Sequence, residues 1–71
     1  MKVFIVKDEE LNDVMGKEQL LEYAREQYVV LKETCEDDEA VVKYKDGITT
    51  IDEAIDVLKH RGFDVEIKEV F

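Results

Sequence analysis

The 71-residue chain has no proline, no tryptophan, one cysteine, one histidine and three scattered glycines. Cationic residues are also scarce, with ten Lys and Arg against nineteen Asp and Glu, a net charge of −9. Each scarcity excludes something. With Cys35 alone, neither an intrachain disulfide nor a multi-cysteine zinc site can form, and nothing points to an oxidising compartment. Gly16, Gly47 and Gly62 stand apart, so no glycine-rich loop cradles a phosphate and no cofactor-binding motif is present. No Pro-, Gly- or Ser-rich tract marks a linker, and there is no internal repeat. The run Val3–Val6 behind Lys2 is too short for a signal peptide and meets Asp8, Glu9 and Glu10. No stretch is apolar enough to cross a bilayer. These features together suggest a cytoplasmic protein.

The acid excess sets the class of partner. At neutral pH the chain repels nucleic-acid backbones and anionic lipid heads, so direct nucleic-acid or membrane binding is not expected, whereas a protein partner with a basic surface is favoured. A chain of this length makes one domain, and folding buries only roughly 60% of its unfolded surface. At 45% hydrophobic residues in periodic segments, it is too apolar to be a disordered acidic tail.

Along the chain, Lys2–Lys7 reads as a strand apolar on both faces and therefore interior to a sheet. A short hairpin strand near 13–15 is an open alternative. From Lys17 to Thr34, Leu20, Leu21, Ala24, Tyr28 and Leu31 recur at helical spacing, with Cys35 read as a small buried hydrophobe at the end of the stripe. Val29 falls opposite that stripe. The acidic run Glu36–Glu39 opposes the helix dipole and ends the helix as a solvated loop. Ala40–Lys45 reads as a strand with Val42 and Tyr44 inward, closed by Asp46 and Gly47. A second helix over 51–61 is framed by a Thr50/Glu53 capping box, a stripe of Ile51, Ala54, Ile55 and Leu58, a basic last turn and Gly62. The last strand alternates Phe63, Val65 and Ile67 with Asp64, Glu66 and Lys68. The order β-α-β-α-β, with crossovers long enough for parallel pairing, predicts a two-layer α/β sandwich, both helices on one face of a three- or four-stranded sheet. If the extra hairpin forms, the sheet is mixed and the class is α+β.

No catalytic constellation emerges. His60 lies at a helix C-terminus, where positive charge is favoured, with no neighbouring nucleophile in sequence, and the spacing of Glu36–Glu39 does not match a calcium loop. No catalytic, cofactor or metal residue is assigned. Glu18, Glu22 and Glu26 stack at four-residue spacing, a repulsive arrangement that imitates a phosphate track, and Glu33, Asp52 and Asp56 extend it. The plainer account is a solvated face, with Glu18 in the first turn and Arg25 among the acids to relieve them. A competing reading is a homodimer through the open sheet face, where the first strand presents either Val3 and Ile5 or Phe4 and Val6 beside Val41, with Phe4 and Val41 taken as the apolar centre, rimmed by Lys43, Lys45, Asp64, Glu66 and Lys68.

The residues Met15–Ala24, Thr50–Ile55 and Gly62–Val65 resemble short acidic proteins encoded by phages and prophages of Gram-positive bacteria. The similar pieces cover under half of the chain. The resemblance implies a protein of the host cytoplasm that acts by binding and not by chemistry, and it carries over no functional residue.

Overall fold

The computed structural model describes residues 1–70. In chain order the elements are β1 (Lys2–Lys7), β2 (Asn12–Met15), α1 (Lys17–Thr34), α2 (Glu39–Lys43), α3 (Ile51–His60) and β3 (Asp64–Glu69). The sheet order is β2-β1-β3, and β1 pairs antiparallel with both neighbours. The class is α+β. The strand that is apolar on both faces is the central one, as its composition requires, and the 12–15 hairpin forms. Asp8 shapes the connecting turn, its Oδ1 accepting from the N–H groups of Glu10 and Leu11.

Phe4 and Val6 of β1 and Met15 of β2 face the helices and are buried. Leu20, Leu21, Ala24 and Leu31 of α1 cover them together with Ala54, Val57 and Leu58 of α3. The buried stripe of α3 is turned slightly from the expected one, with Val57 fully buried and Ile51 and Ile55 only partly so.

The expected strand at Ala40–Lys45 is a helix instead. Asp38 is its N-cap, accepting from the Ala40 N–H at 2.9 Å, with Glu39 in the first turn and Lys43 in the last. Ala40, Val41 and Tyr44 then fall on one side and are buried, while Val42 is exposed, the reverse of the strand expectation for the two valines. The acidic run therefore starts a helix as well as following one. Local β propensity lost to one capped turn that buries three side chains.

That change removes the parallel pairing. With no middle strand, the chain runs through all three helices before β3, and β2 and β3, which run in the same direction, flank β1 without touching. Cys35 is also corrected, being exposed and not buried. It is the C-cap of α1 with φ −140° and ψ 63°, so its side chain leaves the helical stripe. Val29 is exposed, in keeping with its place opposite that stripe.

The capping box of α3 forms in full. Thr50 Oγ1 accepts from the Glu53 N–H, while Glu53 Oε1 accepts from the N–H and hydroxyl of both Thr49 and Thr50. These bonds, the Thr49 N–H first, hold the Glu53 carboxyl below its usual range. A lowered folded-state value means that the bonded carboxylate stabilises the protein above the ordinary carboxylate range, and that this contribution is lost as pH falls through the lowered value. In Glu53→Gln, urea denaturation should show a weaker dependence of stability on pH in that acid window. Beyond the helix, Gly62 adopts φ +91° and the Phe63 N–H donates to the Leu58 carbonyl, closing the end of α3.

Candidate interaction surface

Glu18, Glu22 and Glu26 are exposed along α1. Helical spacing makes each step a like-charge pair, costing on the order of 0.2–0.5 kcal/mol. Arg25 forms no salt bridge with them. Its Nε and Nη2 both donate to the Ile48 carbonyl, at 3.0 and 2.9 Å, which commits the guanidinium to the loop between α2 and α3. Among the described residues, none of the three glutamates has a salt-bridge partner.

One further carboxylate joins this surface. Asp13 pairs across the hairpin with Val6, whose side chain faces the helices, so the pleat sends Asp13 to the same side, at the outer edge beside α1. Asp13, Glu22 and Glu26 border one groove of about 350 Å³, floored by Leu11, Met15 and Tyr23. Tyr23 reports the local field. Burial first, and then the negative charges of Asp8, Glu26 and Asp13 against the opposing positive charge of Arg61, raise its phenol above the usual value. β2 and α1 thus bring carboxylates to one groove, and Asp8 of the hairpin turn adds to its negative field. Sequence reasoning missed Asp8 and Asp13 because their position depends on the hairpin register, which the isolated motif does not reveal.

Asp52 and Asp56 are not part of that groove. They border a separate one on α3 beside Lys43, Tyr44 and Lys59. Asp56 is already engaged: Tyr44 Oη donates to its Oδ2 at 2.5 Å, Lys43 Nζ lies 3.8 Å from the same oxygen, and His60 Nε2 lies 3.7 Å from Oδ1. The bond to Asp56 and burial raise the Tyr44 phenol above its ordinary value. The five-residue acidic face expected from sequence is therefore divided, with the α1 part free and the Asp56 part paired within the molecule.

His60 Nδ1 lies 2.9 Å from Asp38 Oδ1, so the imidazole links the cap of α2 to α3. Its two nitrogens address carboxylates on opposite sides, which suits a tie between helices better than convergence on one ion. Among the described residues, no group of three or more His, Cys, Asp or Glu side chains is placed to hold a metal. Cys35 is exposed at the end of α1.

The two residues expected at the centre of a dimer face are placed elsewhere. Phe4 is 4% exposed and faces the helices, and Val41 is 7% exposed within α2. The open sheet face instead presents Val3, Ile5 and Val14, because these alternate with the buried positions of β1 and β2. Its charged border comprises Lys7, Asp64, Glu66 and Lys68, with Lys7 bonded to Glu66 at 3.2 Å. Lys43 and Lys45 are not in that border, since Lys43 belongs to α2 and Lys45 to the turn after it. Among the described residues, no helix is long and apolar enough to cross a membrane.

Searches against protein-family models, curated proteins and solved structures give no match to this chain.

Proposed function

We propose that the chain is a non-enzymatic protein-binding module whose acidic groove receives a basic surface of a partner. The observation that carries this reading is the convergence of Asp13, Glu22 and Glu26 from two segments on the groove beside Tyr23, with no salt-bridge partner for any of them among the described residues. Retaining that repulsion is costly for a small domain, and an incoming cationic surface relieves it. Tyr23 and Leu11 give the groove an apolar floor along which the stem of a lysine or arginine can lie. The net charge of −9 steers such a partner inward and opposes direct contact with nucleic acid or an anionic membrane.

The partner class that best fits is a nucleic-acid-handling protein, whose basic groove is built to hold evenly spaced anions. Glu18, Glu22 and Glu26 offer carboxylates at about 6 Å intervals along α1, comparable to the spacing along a nucleic-acid strand. A phage-type modulator working in the host cytoplasm is the role consistent with both this surface and the sequence resemblance.

A lysine- and arginine-rich peptide is a direct probe. Its binding, followed by calorimetry, should weaken as salt rises from about 0.05 to about 0.3 M. The double variant Glu22→Lys/Glu26→Lys should bind about tenfold or more weakly, as expected when several exposed pairs worth up to about 1 kcal/mol each become repulsions. Binding that ignores both salt and the double variant would refute the groove as the site.

A further inference from the structure

We infer that β3 is a self-complementary edge through which two copies of this chain join into one continuous six-stranded antiparallel sheet. This inference is independent of the acidic groove, which lies beside the opposite edge of the sheet, at β2. The first observation is the direction of the backbone groups. The Val70 N–H donates to the Met1 carbonyl at 2.7 Å, one step beyond the Lys2–Glu69 pair. Antiparallel alternation then makes Val3–Lys68, Ile5–Glu66 and Lys7–Asp64 the hydrogen-bonded pairs within the sheet. It also turns the N–H and C=O of Val65, Ile67 and Glu69 toward the free side of β3. This edge has no proline and no bulge to block pairing.

The second observation is the order of side chains. A two-fold axis through Ile67 places Ile67 against Ile67 of the second copy and matches the outward groups of Val65 with those of Glu69, closing six main-chain hydrogen bonds. Glu66 then stands opposite Lys68 of the second copy, and Lys68 opposite Glu66. Both are non-hydrogen-bonded pairs, where the Cα atoms approach to about 4.5 Å and opposite charges interact best. The neighbouring registers are worse. Centred on Val65 the pairing sets Asp64 against Glu66, centred on Glu66 it sets two glutamates together, and centred on Lys68 two lysines. Ile67 faces the helix side opposite Phe4, yet it is 52% exposed, so the helices leave the pivot open and the contact would cover an apolar side chain.

Sedimentation equilibrium from about 10 μM to about 1 mM, at about 0.15 M salt to screen the repulsion between two acidic chains, tests this. The unmodified chain should show a monomer–dimer equilibrium. Glu66→Lys and Lys68→Glu should each weaken it at least about tenfold by creating like-charge pairs, and the double exchange should restore it. Amide hydrogen exchange supplies a readout that does not depend on variants: protection at Val65, Ile67 and Glu69 should rise with concentration, while the amides of Glu66 and Lys68 are protected throughout. A chain that stays monomeric at the highest concentration, a dimer indifferent to the single exchanges, or failure of the double exchange to restore it would each overturn the proposal.

Discussion

Phe4→Ala should destabilise the protein by about 3–5 kcal/mol, read as a fall in the urea midpoint with the slope of the transition unchanged. Phe4 is almost wholly buried on the helix-facing side of the central strand, between Met15 of β2 and Ile67 of β3. Truncating it removes the transfer free energy of a phenyl group and opens a cavity that a sheet paired on both sides cannot collapse to fill. Small domains have little to lose. At roughly 0.05–0.15 kcal/mol per residue the whole fold is worth on the order of 4–11 kcal/mol, so this one change consumes about a quarter of it or more. Val14→Ala is the control, because Val14 is 57% exposed on the open face, and its loss should cost under about 0.5 kcal/mol. If Phe4→Ala were as mild as the control, β1 would have to present its other face to the helices, and the arrangement of the sheet given above would be wrong.

Asp38→Ala should cost about 2 kcal/mol in the same measurement, a large effect for a partly exposed carboxylate. One oxygen performs two tasks: Oδ1 accepts from the Ala40 N–H as the cap of α2 and lies 2.9 Å from His60 Nδ1 on α3. Removing it uncaps a five-residue helix that has no length to sustain itself, and frees the imidazole from one of its two carboxylates. Ala40, Val41 and Tyr44 are buried only while that turn exists. Asp38→Asn keeps an acceptor at the same position and should lose about half as much. A double-mutant cycle with His60→Ala isolates the tie between the helices, and a coupling near zero would show that Asp38 acts through the cap alone.

The same residue explains where sequence reading succeeded and where it failed. Helix α1 was legible because five apolar residues repeat over 18 positions, and α3 because its cap, basic last turn and glycine stop agree with one another. The segment 40–45 was not. Val41, Val42 and Tyr44 have strand propensity, and five helical residues are too few for periodicity to decide, so the outcome depended on Asp38 finding both the Ala40 N–H and His60. From that one substitution of helix for strand followed the loss of parallel pairing and the burial of Val41.

The candidate site divides along the same line. Glu18, Glu22 and Glu26 were readable as a ridge because spacing on a helix is a local property, and all three are exposed as expected. Asp56 appeared equally free in sequence, yet it is held by Tyr44, Lys43 and His60, which come from two helices. Asp8 and Asp13 gave no signal, since a carboxylate in a turn or an edge strand acquires a neighbourhood only when the register is set.

Composition and local periodicity thus determined the charge, the central apolar strand and both long helices, because each rests on contacts within a few residues or on sums over the chain. Tertiary structure alone decided the fate of 39–43, the all-antiparallel sheet, the pairing of Asp56 and the gathering of Asp13, Glu22 and Glu26 on one groove beside Tyr23. These depend on groups distant in sequence that gain or lose partners only when the helices close over the sheet, where a buried bond outweighs a local preference worth a fraction of a kilocalorie.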